Sequence, residues 1–286
     1  MRRFLAALIV VACVASCGGG SNKKAGSADN RSTYLFPTYL APGFKVTHGG
    51  VQVAGPAHRA YGAALGRKAK NGAFDAVILV TAIEATADRA VSPNEKDTIV
   101  GVNGAQARLH EGATEASLDW FAHGAAIALA GPPASGQTLL TAARALRGEG
   151  VRNLHLETAP DGYDKIAEEH TIGHTPEASR QIQVAAASPT TTITITTSAT
   201  NIKLVFAVGG GDHIEPIEVR GHEGLLSTRT RQVQGTSITQ SIVAWYERSG
   251  ALVSIIGNTA PDQLLPIADG LAGVGEELWR QLVPQS

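Results

Sequence analysis

The chain has 286 residues, 43% of them hydrophobic, with 24 Lys and Arg against 25 Asp and Glu and a formal net charge of -1. No basic run exceeds the pairs Arg2-Arg3 and Lys23-Lys24, so a nucleic-acid-binding face is not expected. Beyond the N-terminal segment no second long apolar run occurs, which argues against an internal transmembrane helix and leaves enough chain for one large or two small domains.

The opening stretch MRRFLAALIVVACVASCGGG sets Arg2 and Arg3 before an apolar run from Phe4 to Val14. That run is shorter than the ~20 residues a helix needs to span a bilayer, so residues 1–16 read as a signal peptide. Its removal takes both arginines with it and brings the net charge to -3, from 22 basic against 25 acidic residues. The tetrad Val14-Ala15-Ser16-Cys17 resembles the bacterial lipobox. The resemblance implies a diacylglycerol on the Cys17 thiol, cleavage before it, and an acyl chain such as palmitate on the new amino terminus. Cysteine usage agrees, because the only other cysteine, Cys13, lies in the segment to be removed. The mature chain then has no disulfide, and a thioether resolves an otherwise exposed thiol. Two or more acyl chains anchor stably where one is marginal. The expected location is the extracytoplasmic face of the cell membrane. Gly18 is not the aspartate that retains Gram-negative lipoproteins at the inner membrane, so the outer membrane stays open.

Residues 17–33, the Cys followed by GGGSNKKAGSADNRST, form a polar tether without apolar period. Its Ser21 and Lys24 match a Ser-x-x-Lys nucleophile spacing by chance, since no packed site surrounds a tether.

The body repeats itself. LAPGFKV (Leu40–Val46) has a partner in TAPDGYDKI (Thr158–Ile166), and VNGAQARL (Val102–Leu109) in VRGHEGLL (Val219–Leu226). SLDWFAHGAAIALAG (Ser117–Gly131) recurs as IVAWYERSGALVSIIG (Ile242–Gly257), and QTLLTAARAL (Gln137–Leu146) as QLLPIADGL (Gln263–Leu271). The order is the same in both halves, which predicts two tandem units, residues 34–150 and 155–286. In the first, AVILVTA, TIVGV, ARLHEG, SLDWFA and AAIALAG read as strands; in the second, RQIQVAA, TTTITITTS and NIKLVFAV do. Each unit closes on an apolar-periodic helix, with Ser135 able to cap the first and Thr259 the second, where Pro266 and Gly270 predict a kink or late start. The expected class is α+β: two tandem repeats, each a curved antiparallel sheet with a C-terminal helix packed on one face.

Trp120 and Trp245, at matched positions, are the expected structural anchors of the two cores. Gly104 and Trp120 are 16 positions apart and the matching Gly221 and Trp245 are 24, so the second unit carries eight more residues around STRTRQVQGTS. A longer hairpin is predicted there, with Arg229, Arg231 and Gln232 projecting from an exposed tip as candidate partner-binding residues. The motifs Ala-Pro-Gly-Phe and Ala-Pro-x-Gly-Tyr, Leu-x-Trp-x-x-x-Gly and Leu-Leu-x-x-Ala-x-x-Leu together resemble the extracytoplasmic domains of unknown function found in Gram-positive anti-sigma-type, sporulation and lipoprotein chains. His123 and Ala125 depart from that pattern. The resemblance implies a sheet-and-helix domain with no cofactor and no established chemistry.

Candidate chemistry is sparse. His170 and His174, in EEHTIGHTPE, could meet on one helical face as metal ligands, but Gly173 and Pro176 disfavour the helix and the zinc-protease Glu is missing. GGGDH (Gly209–His213) lacks the Gly-Lys-Ser/Thr ending of a phosphate loop and reads as a hairpin turn. No Gly-x-Ser-x-Gly elbow occurs. The leading expectation is a lipid-anchored, non-enzymatic envelope protein that binds a protein or envelope-polymer partner, as a scaffold or sensor. The alternative is a carrier for a lipid or hydrophobic small molecule, in a sheet-helix cavity lined by Val77, Leu79, Ile127 and Leu129 or by their counterparts in the second unit. A third reading is a hydrolase or metal-dependent enzyme using the region of His170 and His174.

Overall fold

The computed structural model describes residues 34–52, 59–85, 97–132, 136–172, 179–186, 191–233 and 236–284. Of these residues 57% lie in strands and 17% in helices, which makes the protein mostly β. The elements in chain order begin with β1 (Leu35–Pro37), β2 (Phe44–Gln52), β3 (Arg59–Lys68) and β4 (Phe74–Glu84). There follow β5 (Thr98–Val102), β6 (Ala105–Glu111), β7 (Ala116–Ala122), β8 (Ala125–Gly131), α1 (Gly136–Arg144), β9 (Leu146–Arg147), α2 (Gly150–Asn153), β10 (His155–Leu156) and β11 (Asp164–Ile172). The remainder is β12 (Ser179–Ala186), β13 (Thr192–Ser198), α3 (Leu204–Val208), β14 (His213–Val219), β15 (His222–Val233), β16 (Thr236–Tyr246), β17 (Leu252–Gly257), α4 (Pro261–Asp269), β18 (Leu271–Gly273) and α5 (Glu276–Leu282).

Alternation explains why these segments are strands. Along Thr192–Ser198 burial switches at every residue, with Ile193, Ile195 and Thr197 inside, because successive side chains leave a strand on opposite faces. The same alternation runs through Ala116–Ala122 and Ala125–Gly131.

The expected α+β arrangement of two separate sheets, each covered by its own helix, is not what forms. Fourteen strands join one antiparallel sheet, and β2 and β11 each pair with a strand of the opposite half. One run of neighbours is β11-β3-β4-β8-β7-β6-β5 and the other is β2-β12-β13-β17-β16-β15-β14. The helices are too short to make a layer: α1 and α4 have nine residues each, and each buries a narrow apolar stripe, Leu139, Leu140, Ala142 and Ala143 in one and Leu264, Ile267 and Ala268 in the other. The physical reason is that a period of two dominates the sequence, and an antiparallel sheet can satisfy backbone groups between distant segments as well as between adjacent ones.

Two cores result. The first lobe, residues 59–172, is continuous in sequence, and its core runs from Tyr61 to Leu156 around Leu65, Leu118, Trp120 and Leu139. The second, built from 34–52 and 179–284, packs Tyr34 and Leu35 with Ile182, Trp245, Leu264 and Trp279. Each of the two pairings between strands of opposite halves contains one register shift, between Gln183 and Val184 in β12 and between Lys165 and Ala167 in β11. Gln52 faces Ser179 at the end of one pairing and Arg59 faces Ile172 at the end of the other.

The lobes also meet through α3. The stretch Asn201–Val208, expected as a strand, is helical from Leu204, with Val205, Phe206, Ala207 and Val208 all buried. A short apolar run does not distinguish a buried strand from a buried helix, and here it is covered from both sides. Phe206 lies over Gly62 so closely that a Cβ there would sit 3.0 Å from its ring. Val77, Leu79 and Ala64 of the first lobe and Ile242, Ala244 and Leu252 of the second complete this third cluster.

Candidate functional site

The hairpin β15–β16 is the place where the two lobes differ most in form. Its strands have 12 and 11 residues, whereas the corresponding β6 and β7 have seven each. The neighbours stop short of its end: β14 pairs with β15 only as far as Thr228, and β17 pairs with β16 only from Ser241 inward. From Arg229 opposite Gln240 to Val233 opposite Thr236, the two strands pair with each other alone among the described residues. Thr230, Thr236, Ser237 and Thr239 are exposed on this arm. An arm of this kind presents outward-facing N–H and C=O groups that another extended chain can use, apart from the Thr230 amide, which donates to Asp212.

The base of the arm is fixed. Arg229 donates from Nη2 to Glu115 Oε2 at 2.5 Å, joining β15 to the β6–β7 turn of the other lobe, and its side chain is only 13% exposed. Burial, and then the neighbouring Arg231 charge, lower the guanidinium pKa from its ordinary value, while Glu115 and Asp212 oppose that shift. Asp212 Oδ2 also accepts from the Thr230 amide at 2.7 Å. Gln240, on the same face, donates to Asn258 at 3.3 Å, and Ser241 Oγ to the Thr259 carbonyl at 2.7 Å. Arg229 is therefore at the root of the hairpin and not at its tip. Arg231 lies two residues farther out, half-buried, with a buried Nε that has no partner among the described residues. Gln232 pairs through its backbone with Ser237.

The other residues singled out by the sequence are positioned by packing. Trp120 and Trp245 are 3% and 0% exposed in β7 and β16, and Trp245 Nε1 donates to Glu247 at 2.9 Å. His170 lies on β11, a strand and not a helix, where its ring meets Tyr61 at 5.1 Å and Nε2 is 2.7 Å from the Leu154 carbonyl. Beside it Glu168 accepts from Tyr61 Oη at 2.7 Å, the Leu156 amide at 2.8 Å and Lys165 Nζ at 2.6 Å. Burial raises the Glu168 pKa, but these three donors outweigh it and hold the carboxyl at about 2. Burial, reinforced by that carboxylate, raises the Tyr61 hydroxyl pKa well above its ordinary value. His174, Ser135 and Cys17 lie outside the described residues. Among the described residues no group of three His, Cys, Asp or Glu is arranged to hold a metal ion.

The GGGDH segment is not a hairpin turn. It carries α3 into β14 and binds the first lobe through its backbone, Ala76 N to Asp212 O at 2.9 Å and Val77 N to Gly211 O at 3.0 Å. Gly211 is required by crowding, since a Cβ there would fall 2.3 Å from Ser227 Oγ. His213 then faces Asp75 across the lobes, Nδ1 to Oδ1 2.7 Å, and this partner raises its pKa against a smaller opposing effect of burial.

Val77, Leu79, Ile127 and Leu129, the expected lining of a carrier cavity, are all buried in the cores. Two surface clefts are lined by other residues. One, of 380 Å³, is bounded by Lys70, Asp75, His213 and Glu215; the other, of 450 Å³, by Glu84, His123 and Val151.

No protein-family model matches this chain, and no match is found among curated protein sequences. Among solved structures, the apo structure of the immunity protein TplEi of the T6SS from Pseudomonas aeruginosa aligns over 91% of this chain and 100% of its own at 11% identity, with a TM-score of 0.24. A likeness at that score carries no argument about fold or function.

Proposed function

We propose that this protein is a non-enzymatic binding protein, held at the extracytoplasmic face of the cell membrane by lipid on Cys17, and that the Arg229–Gln240 arm docks its partner. The observation that supports the reading is the overhang itself. Ten paired residues run past the neighbouring strands, none of them belongs to an apolar cluster, and they are held at their base by the Arg229–Glu115 pair. A free hairpin edge matches an extended polypeptide through main-chain hydrogen bonds and a row of alternating side chains, which favours a protein partner over an envelope polymer. The polar groups that could have suggested chemistry are occupied in packing: Glu168 and His170 join β10 and β11 to β3, and Asp75 and His213 join the lobes.

The test is to remove the eight additional residues of the hairpin, giving it the length of its counterpart β6–β7, and to compare proteins cross-linked to both forms in intact host cells. Loss of the specific adducts with an unchanged melting temperature is the expected result. An identical set of adducts from the shortened form contradicts the proposal.

A further inference from the structure

Among the described residues five large apolar side chains are exposed: Tyr39 at 47%, Val51 at 42%, Ile99 at 48%, Leu278 at 46% and Leu282 at 40%. Three of them belong to one region. Leu278 and Leu282 stand one turn apart on α5, and Val51 lies on β2, the strand sealed by the residues that follow α5. There the Gly49 amide donates to the Pro284 carbonyl at 2.8 Å, and Val283 packs so tightly that a Cβ on Gly49 would collide with it. Helical spacing puts Trp279 and Val283 toward the core, Leu278 and Leu282 on the adjoining shoulder, and Glu277 and Gln281 on the far side. The apolar arc is wider than the core covers.

The first lobe shows that packing does not require this width. Its corresponding turn, α2 and the residue after it, buries Val151 and Leu154 at 2% and 5% exposure and leaves Arg152 and Asn153 outside. Asn153 immediately precedes the buried Leu154, as Leu278 immediately precedes the buried Trp279.

The exposed shoulder lies where the tether arrives. Tyr34, the first described residue, meets Trp279 edge-on with ring centroids 5.8 Å apart, and Trp279 Nε1 donates to the Leu35 carbonyl at 3.2 Å. Only 17 residues, Cys17 to Thr33, Gly-rich and polar, separate the anchor from Tyr34. Lys23, Lys24 and Arg31 outnumber Asp29 in that segment, which suits anionic headgroups.

We infer that α5, through Leu278 and Leu282, together with the neighbouring end of β2 at Val51, rests on the lipid surface to which Cys17 is anchored. The inference rests on the lipidation reading of the proposed function. Two leucines alone bind a bilayer weakly, but a short tether makes the contact intramolecular, so a weak preference is enough to orient the protein.

The mature chain carries one thiol, which allows the surface to be tested directly. Cys17 is coupled to a maleimide-bearing lipid in vesicles of phosphatidylcholine and phosphatidylglycerol, and hydroxyl-radical labelling is compared with that of the same chain capped in solution. Labelling of Leu278 and Leu282 is expected to fall about threefold or more, with Ile99 on the other lobe unchanged. Equal labelling of the two leucines in both samples overturns the inference. Mass spectrometry of the N-terminal peptide from the native host separates the two readings. A Cys17 without lipid overturns the anchor and the orientation together, whereas a lipidated Cys17 with equal leucine labelling overturns the orientation alone.

Discussion

The two lobes string their strands in the same order and bury a tryptophan at the same place, yet they spend their remaining residues differently. The first lobe turns from β6 to β7 in four residues, 112–115, and closes its last turn with Arg152 and Asn153 outside. The second extends the matching hairpin past its neighbours and puts Leu278 where the first has Asn153. The comparison separates what the sheet needs, which both lobes contain, from what only one of them adds. The additions, the Arg229–Gln240 arm and the α5 shoulder, are the surfaces to which function is assigned above.

The largest effects are expected when one core is damaged and the other is followed. Trp245→Ala empties a site that is 0% exposed and should cost about 3–5 kcal/mol, with Trp120→Ala in the same range. If the lobes unfold as one unit through α3 and the crossing strands, either variant lowers a single calorimetric transition. Two transitions, of which only one moves, would mean that the cores are energetically independent. Next in size is Phe206→Ala, which opens the α3 cluster over Gly62 and should cost about 3 kcal/mol while loosening the joint between lobes. Hydrogen exchange should then rise along β3 and β15 together.

A smaller effect is expected at the root of the arm. Glu115→Gln leaves Arg229 partly buried without its charged partner, at a cost of about 1–2 kcal/mol, and should speed exchange in residues 230–239 without affecting the first lobe's core. The smallest is Glu168→Gln, about 1 kcal/mol at neutral pH. The folded-state pKa of Glu168 is depressed to about 2, so its contribution is present above the ordinary carboxylate range and is lost as pH falls toward 2. Denaturation curves of Glu168→Gln and the unaltered protein should therefore converge in acid; a gap that stays constant from neutral pH to pH 2 would show that the ionised carboxylate is not the source.

Local order was legible in the sequence and long-range pairing was not. The Thr and Ile alternation of Thr192–Ser198 predicts which residues turn inward, and the two tryptophans are placed in strands by the same pattern. The pairing of β2 with β12 and β11 with β3 depends on contacts between residues 98 to 142 positions apart, for which periodicity carries no signal. That pairing, with the shortness of the helices, is why the α+β expectation fails. Leu204–Val208 is apolar at every position, so its pattern fits a buried strand as well as a buried helix. The additional hairpin length was visible as eight residues between matched Gly and Trp positions. What that length does to Arg229 was hidden, because its partner Glu115 comes from the other lobe.

The most direct test of the central claim is photo-cross-linking in the native host with a reactive amino acid at Ser237 or Thr239 on the arm and, for comparison, at the exposed Ile99 of the first lobe. One or a few defined protein adducts are expected from the arm positions and not from Ile99. The same adducts from all three positions, or none from the arm in cells that contain the protein at its normal level, would contradict that claim.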